Sequence, residues 1–348
     1  MSKKGNATSI EDFKLEGETF RFIGSIGLDS GKFSKANFSS VRLNRGDDAA
    51  VSIQRAKGGY DVSVKAGSLD LRSLLKRVLS SFESTAKSTG SDTIRVKAAI
   101  GSAAGFGSEQ LQNVEANYTG KGSNVIAFTA NATTSGGGTV SIENRLVDGR
   151  KTVQIQTNDG GALLRFLDYY DKMQGGQISV ALSSSGDGPL SGEVDARNFT
   201  IVGEPRLKSL VGSPVTPDGQ SIAKAAKNKI DVSRVKFQRG NAFIEKGSSY
   251  LKLAKGILRS DQIGLSYEGT LYDQKGRIDM TGTFLPAYGL NRIFGEIPII
   301  GEILGNGRDK GLIGITFKLS GPAKSPQLSV NPISLVAPGI FRQIFEFQ

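Results

Sequence analysis

The 348-residue sequence contains no cysteine, no histidine and no tryptophan, and only 10 prolines and 3 methionines. Without cysteine and histidine there are no thiol nucleophiles, disulfides, Cys/His metal sites or imidazole acid–base devices. The missing cysteine leaves the compartment open, because an envelope protein can lack disulfides as easily as a cytosolic one. Long apolar runs are absent too: the greasiest segment, near Ile297 to Leu304, falls well short of the roughly 20 residues a membrane-spanning helix needs. The start, MSKKGNATSIEDFKLEG, has two lysines but no apolar stretch behind them, so neither a signal peptide nor an anchor is expected, and residues 1–18 read as a flexible leader. On that reading the protein is cytoplasmic or the chain is part of a longer one.

What the chain has is glycine, 45 residues of it, and a formal charge of +11. Glycine spread among Val, Ile, Thr and Ser favours short strands and tight turns over helical bundles. The positive charge is diffuse. No dense basic run and no aromatic ladder interleaved with arginine stands out, so nucleic acid is not expected as a partner.

Alternation of apolar and polar residues recurs at Ile94, Val96, Ala98 and Ile100; at Ile178, Val180 and Leu182; at Ile263, Leu265 and Tyr267; at Ile278, Met280 and Phe284; and at Ile313, Ile315, Phe317 and Leu319. A period of two places each set on one face of a half-buried antiparallel strand. Turns at Lys57-Gly58-Gly59, Gly136-Gly137-Gly138 and Asp273 to Gly276 make the chain a series of hairpins. Three helices interrupt it. The first has Leu71, Leu74, Leu75, Val78, Leu79 and Phe82 at helical spacing, with Ser68 or Asp70 as the cap; the second has Leu163, Phe166, Leu167 and Tyr170, capped by Asp159 and stopped by Gly175-Gly176; the third runs from Gln220 to Ile230 with a lysine face. Strands followed by one packing helix occur twice, a loose internal repeat. The fold these patterns predict is mainly β, a series of antiparallel hairpins with a few short packing helices.

Motifs that would carry chemistry are missing. Arg45-Gly46-Asp47 reads as a turn, and GLDSGK from Gly27 to Lys32 has Phe33 where a phosphate loop needs Ser or Thr. Gly101, Gly105 and Gly107 lack the strand–turn–helix setting of a dinucleotide site. Paired carboxylates could in principle hydrolyse glycosides, yet Asp168 with Asp171 and Glu296 with Glu302 sit on segments that read as ordinary polar helix faces. No enzyme activity, cofactor or metal is expected. Apolar surface remains. Leu290, Ile293, Phe294 and Ile297, then Ile300, Ile303 and Leu304, form two short amphipathic faces divided by Pro298.

The run from Thr281, TGTFLPAYGLNRIFGEIPIIGEILGNGRDKGLIGITFKLSGPAKSPQLSVNPISLVAPGIFRQIFEF, resembles the C-terminal region of bacterial AsmA-like envelope proteins of the YhdP and TamB type, in the bridge-like lipid transfer superfamily. The elements that carry the resemblance are Ile297 to Gly301, Gly311 to Gly321, Pro326 to Pro332 and Ala337-Pro338-Gly339. The resemblance extends back to about Phe199 and sets expected regions of 1–18 (leader), 19–198 (groove repeats with two helices) and 199–348 (the AsmA-like part). It implies an elongated curved antiparallel sheet forming a groove or gutter, and a non-enzymatic bridge that moves phospholipid between inner and outer membranes, in the periplasm of a Gram-negative envelope. Its partners would be acyl chains, membrane surfaces and envelope proteins. Under this resemblance Ile263, Leu265, Tyr267, Ile278, Met280, Phe284, Ile313, Ile315 and Phe317 line the lipid groove, and the helices bearing Leu290 to Leu304 cap its mouth. The competing expectation is a structural β scaffold of the envelope that carries no lipid.

Overall fold

Strict alternation over ten or so residues fixes strand register, since a one-residue slip would turn every apolar side chain to the wrong face. The computed structural model describes residues 2–4, 7–81, 92–122, 124–186, 188–212, 231–286, 313–323 and 325–335. It is mainly β, built of open, curved, mostly antiparallel sheet with a few short helices. The chain divides into two units. The first is Met1–Asp171 with Ser183–Gly186, and the second is Lys172–Leu182 with Asp187–Gln348.

The first unit runs β1 (Ser2–Lys4), β2 (Ala7–Glu16), β3 (Arg21–Asp29), β4 (Lys32–Arg42), β5 (Asp48–Ala56), β6 (Gly59–Asp70), α1 (Arg72–Ser81), β7 (Thr93–Ala104), β8 (Gln110–Lys121), β9 (Asn124–Thr134), β10 (Thr139–Val147), β11 (Arg150–Thr157) and α2 (Gly160–Phe166). Each strand pairs with the next. All these pairs are antiparallel except β6 with β7, which are parallel. A parallel pair cannot be closed by a hairpin and needs a crossover connection. That connection opens with α1, and Leu71 and Leu75 pack onto the sheet beside Ile100, Leu111 and Val114. Capping follows the sequence in part. The Asp70 carboxylate accepts the Arg72 amide at 2.9 Å, whereas Ser68 is still in strand and its hydroxyl donates to the Gly46 carbonyl. Asp159 caps α2 by accepting the Ala162 amide at 3.2 Å.

The second unit comprises β12 (Met173–Ser183), β13 (Leu190–Val202), α3 (Pro205–Gly212), β14 (Arg234–Lys246), β15 (Leu251–Ser260), β16 (Ile263–Tyr272), β17 (Arg277–Pro286), β18 (Ile313–Pro322) and β19 (Gln327–Leu335). From β13 to β19 each strand pairs antiparallel with its successor. Leu207, Leu210 and Val211 of α3 are buried. Although α3 follows β13, near one edge of this unit, its Cα atoms come within 8 Å of those of β19, the last strand. The sheet therefore curls until one short helix reaches across it. No described helix is long and apolar enough to cross a membrane.

Several expectations need correction. Residues 1–18 are not a loose leader, because β1 and β2 pair with each other and β2 with β3. Phe199 lies inside β13, and the two units divide at Asp171/Lys172, so 198/199 is not a boundary. Helix α2 ends at Phe166, where Asp168 takes a left-handed φ of 60°. Tyr170 and the Asp168/Asp171 pair therefore lie beyond it, and Gly175-Gly176 fall inside β12. Helix α3 is absent from the sequence-based reading, and the helix placed there at Gln220 to Ile230 lies outside the described residues, as do Leu290, Ile293, Phe294, Ile297, Ile300, Ile303 and Leu304.

Candidate functional site: the apolar face of the sheet

In the first unit the registers align one residue from each strand into rows that cross the sheet. One row passes from Phe13 to Gly24, Phe38, Val51, Val64, Ala98, Ala116, Ala130, Ile142 and Ile155, every step a directly paired position. A second row, one pleat along, passes from Ile26 through Ala36, Ile53, Val62, Val96, Tyr118 and Phe128 to Asn144 and Val153. Rows on the same face lie about 6.6–6.8 Å apart along the strand. The reverse face is polar: Asn37, Ser52, Ser63, Lys97, Asn117 and Thr129 occupy the intervening positions, and Ser52 donates to the Asn37 side chain at 2.9 Å.

Burial along this apolar face is graded. At one strand end Val41, Ala49, Ile100, Val114 and Val140 are buried; Leu163 and Phe166 of α2, with Leu71 and Leu75, pack on Ile100, Val114 and Val140. In the central row every residue from Phe13 to Ile155 is only half-buried. Two layers pressed together would bury such positions almost fully. Ala98, Ile142 and Ile155 of this row pack against that helix-covered cluster, and a half-buried strip of mostly aliphatic and aromatic side chains runs on from it to Phe13. Ring contacts stiffen its start, with Phe38 edge-on to Phe13 at 5.9 Å and to Phe22 at 6.0 Å. Each methylene that an apolar guest buries on this strip contributes about 0.8 kcal/mol.

The second unit uses the same pleat logic to a different end. Leu265 pairs with Phe284 and Phe284 with Ile315; Tyr267 faces Gly282 and Gly282 faces Phe317; Met280 faces Leu319. Those residues share one side of β16, β17 and β18. Phe199 and Phe237 lead the same side on β13 and β14, stacked at 5.2 Å. Ile263, Leu265, Ile278, Met280 and Phe284 are buried, while Tyr267 and Phe317 are half-buried. Ile313 and Ile315 take their places in β18 by register, and their side chains lie outside the described residues. The curl about α3 turns most of this face into a folding core.

Two aromatic rings are seated on glycines. Tyr267 lies over Gly256 and Phe317 over Gly282, so an added Cβ would overlap a ring at either place, and at Gly282 it would also strike the Ser266 carbonyl oxygen. Gly282→Ala should therefore lower stability by about 1–3 kcal/mol through overpacking. The check is its urea midpoint, and an unchanged midpoint would remove the seating argument. Burial also pushes the Tyr267 hydroxyl up from 10.0 to about 12. Below pH 10 the phenol is neutral in folded and unfolded chains alike; between pH 10 and 12 only the unfolded chain loses the proton, so stability falls as pH rises. The loss is on the order of 2 kcal/mol by pH 12. Tyr267→Phe should lose less stability than the parent between pH 9 and 11.5, measured by chemical denaturation.

Ion pairs lie off the apolar faces, on the polar side and at strand ends. Asp195 pairs with Arg197 at 2.6 Å and with Arg239 at 2.7 Å, and Lys318 with Asp279 at 3.1 Å. The Asp47 carboxylate, in the turn that contains Arg45-Gly46-Asp47, accepts the amides of Leu43, Asn44 and Asp70 at 2.8–2.9 Å and so ties that turn to the end of β6. Comparison of the chain with family models, with curated proteins and with solved structures finds no match.

Proposed function

We propose that the protein carries phospholipid by its acyl chains along an open apolar β-face, between the inner and outer membranes of a Gram-negative envelope, with no chemical turnover of its own. The observation that carries this reading is the half-buried central row of the first unit, Phe13 to Ile155. An apolar strip of that length, only half-buried among the described residues, is an aggregation hazard unless something apolar lies on it. Acyl chains fit that requirement. Movement along the strip needs no nucleophile, metal or proton donor, since no rung is polar and a tail exchanges one apolar rung for the next. The resemblance of the C-terminal part to AsmA-like envelope proteins points to the same cargo and to the periplasm, and no cofactor enters the scheme.

Native mass spectrometry of the purified chain tests the proposal. Bound phospholipid that leaves on delipidation and returns on incubation with vesicles is the expected result. A chain that stays free of lipid and monodisperse would instead favour the scaffold reading.

A further inference from the structure

The strand end of the first unit that lies opposite α1 and α2 has a composition of its own. There the β5–β6, β8–β9 and β10–β11 turns and the start of β7 come together. Gly59 pairs with Thr93, Thr93 with Lys121, and Val147 with Arg150. Ile126 and Leu146 each lie two residues beyond the Phe128–Asn144 pair, on facing strands. Large aliphatic side chains stand out into solvent here: Leu146 is 62% exposed, and Ile94, Ile126 and Val147 are at least 40% exposed. Lys57, Lys121, Arg150 and Lys151 surround them, and none of these cations forms an ion pair among the described residues. Among the described residues the carboxylates at this end are Asp29, Asp92 and Asp148, together with Asp61, which is paired to Arg95. The helix-bearing end also exposes Leu15, Leu43 and Leu74, but most of its cations are paired, with Lys14 and Arg21 held by Glu16, Arg72 by Asp70, and Arg165 by Glu109.

Exposed aliphatics ringed by unpaired cations match a surface that is apolar below its headgroups and anionic at them. From this geometry we infer that the β5–β6, β8–β9 and β10–β11 turns dock on an anionic phospholipid membrane, Leu146 and Val147 entering the interface while Lys57, Lys121 and Arg150 meet phosphates. Ile94, Ile126 and Leu146 stand two residues beyond the second row on the same face, so docking would bring this strand end of the apolar face to the bilayer. The inference holds whether or not a lipid travels along the face, and it is tested separately.

The chain has no tryptophan, so a single introduced one reports its own surroundings. Leu146→Trp and, as a control at the other strand end, Leu43→Trp replace exposed residues and should fold like the parent. With phosphatidylcholine/phosphatidylglycerol vesicles containing brominated lipid at low salt, fluorescence at position 146 should shift to the blue and be quenched, while that at position 43 stays as in buffer. The response should vanish with phosphatidylcholine alone or at high salt. Each basic residue at such a surface is worth roughly a fivefold change in partition, so Lys57→Gln/Lys121→Gln/Arg150→Gln in the Leu146→Trp background should weaken binding about a hundredfold. Absence of quenching at position 146, equal quenching at position 43, or a triple variant that binds like its parent would each overturn the assignment. Vesicle binding with both reporters unquenched would place the contact elsewhere in the chain and overturn it as well.

Discussion

Replacing Phe237 by alanine is expected to lower the stability of the second unit by about 3–5 kcal/mol. Phe237 is 0% exposed. Its ring stacks on Phe199 at 5.2 Å, it faces Ser260 across β15, and Val235 beside it in β14 is also buried. The strands cannot close over the void, because registers on both sides of β14 are held by backbone hydrogen bonds. The lost ring therefore costs both its transfer energy and a cavity. In thermal melting a loss of that size corresponds to a fall on the order of 10 °C for a unit of this length. Phe128→Ala, in a half-buried row of the first unit, should cost much less, since water already covers part of that ring. If the two truncations were equally harmful, the distinction between a closed core in one unit and an open strip in the other would fail.

That distinction separates what was legible in the sequence from what was not. The pleat was legible: Ile263, Leu265, Tyr267, Ile278, Met280, Phe284 and Phe317 share a side because side chains alternate with period two. Depth was not. Met280 is buried and Tyr267 half-buried although both have the same alternating neighbours. Depth follows from the curl of the sheet and from α3, whose eight residues give too little periodicity to read. Bulges hid further rows. On β13 the left-handed Asn198 shifts parity, so even-numbered Val194 and Ala196 share a face with odd-numbered Phe199 and Ile201.

The long central row of the first unit escaped notice for a related reason. Its members from Ala98 to Ala130 are small, and alanine carries little hydrophobic signal when read one strand at a time. Only register across neighbouring strands joins Val51, Val64, Ala98 and Ala116 into a strip. The parallel β6–β7 pair was equally hidden, because nothing in a helix following a strand states which way the next strand runs.

A lysine placed in that strip should stop lipid binding while leaving the fold intact. Val64 sits at the centre of the row, paired with Val51 on one side and Ala98 on the other, and is half-buried. A lysine there can lay its methylenes along the face and lift its ammonium into water, so the folding cost of Val64→Lys should stay near 1–2 kcal/mol. A guest acyl chain has no such escape. Any tail lying across Val64 would be pressed against a hydrated charge, at a cost of several kcal/mol, unless it gave up the neighbouring rungs as well. Retained lipid should therefore fall at least tenfold, read by native mass spectrometry and by crosslinking of a photoactivatable acyl chain, while thermal melting shows a folded protein. Met280→Lys is the contrasting variant. Met280 is 6% exposed in the core of the second unit, so its ammonium would be trapped without a partner and the unit should unfold. A Val64→Lys protein that unfolds like Met280→Lys would show that the strip is sealed as a core. A folded one that keeps its lipid would show that the lipid lies elsewhere.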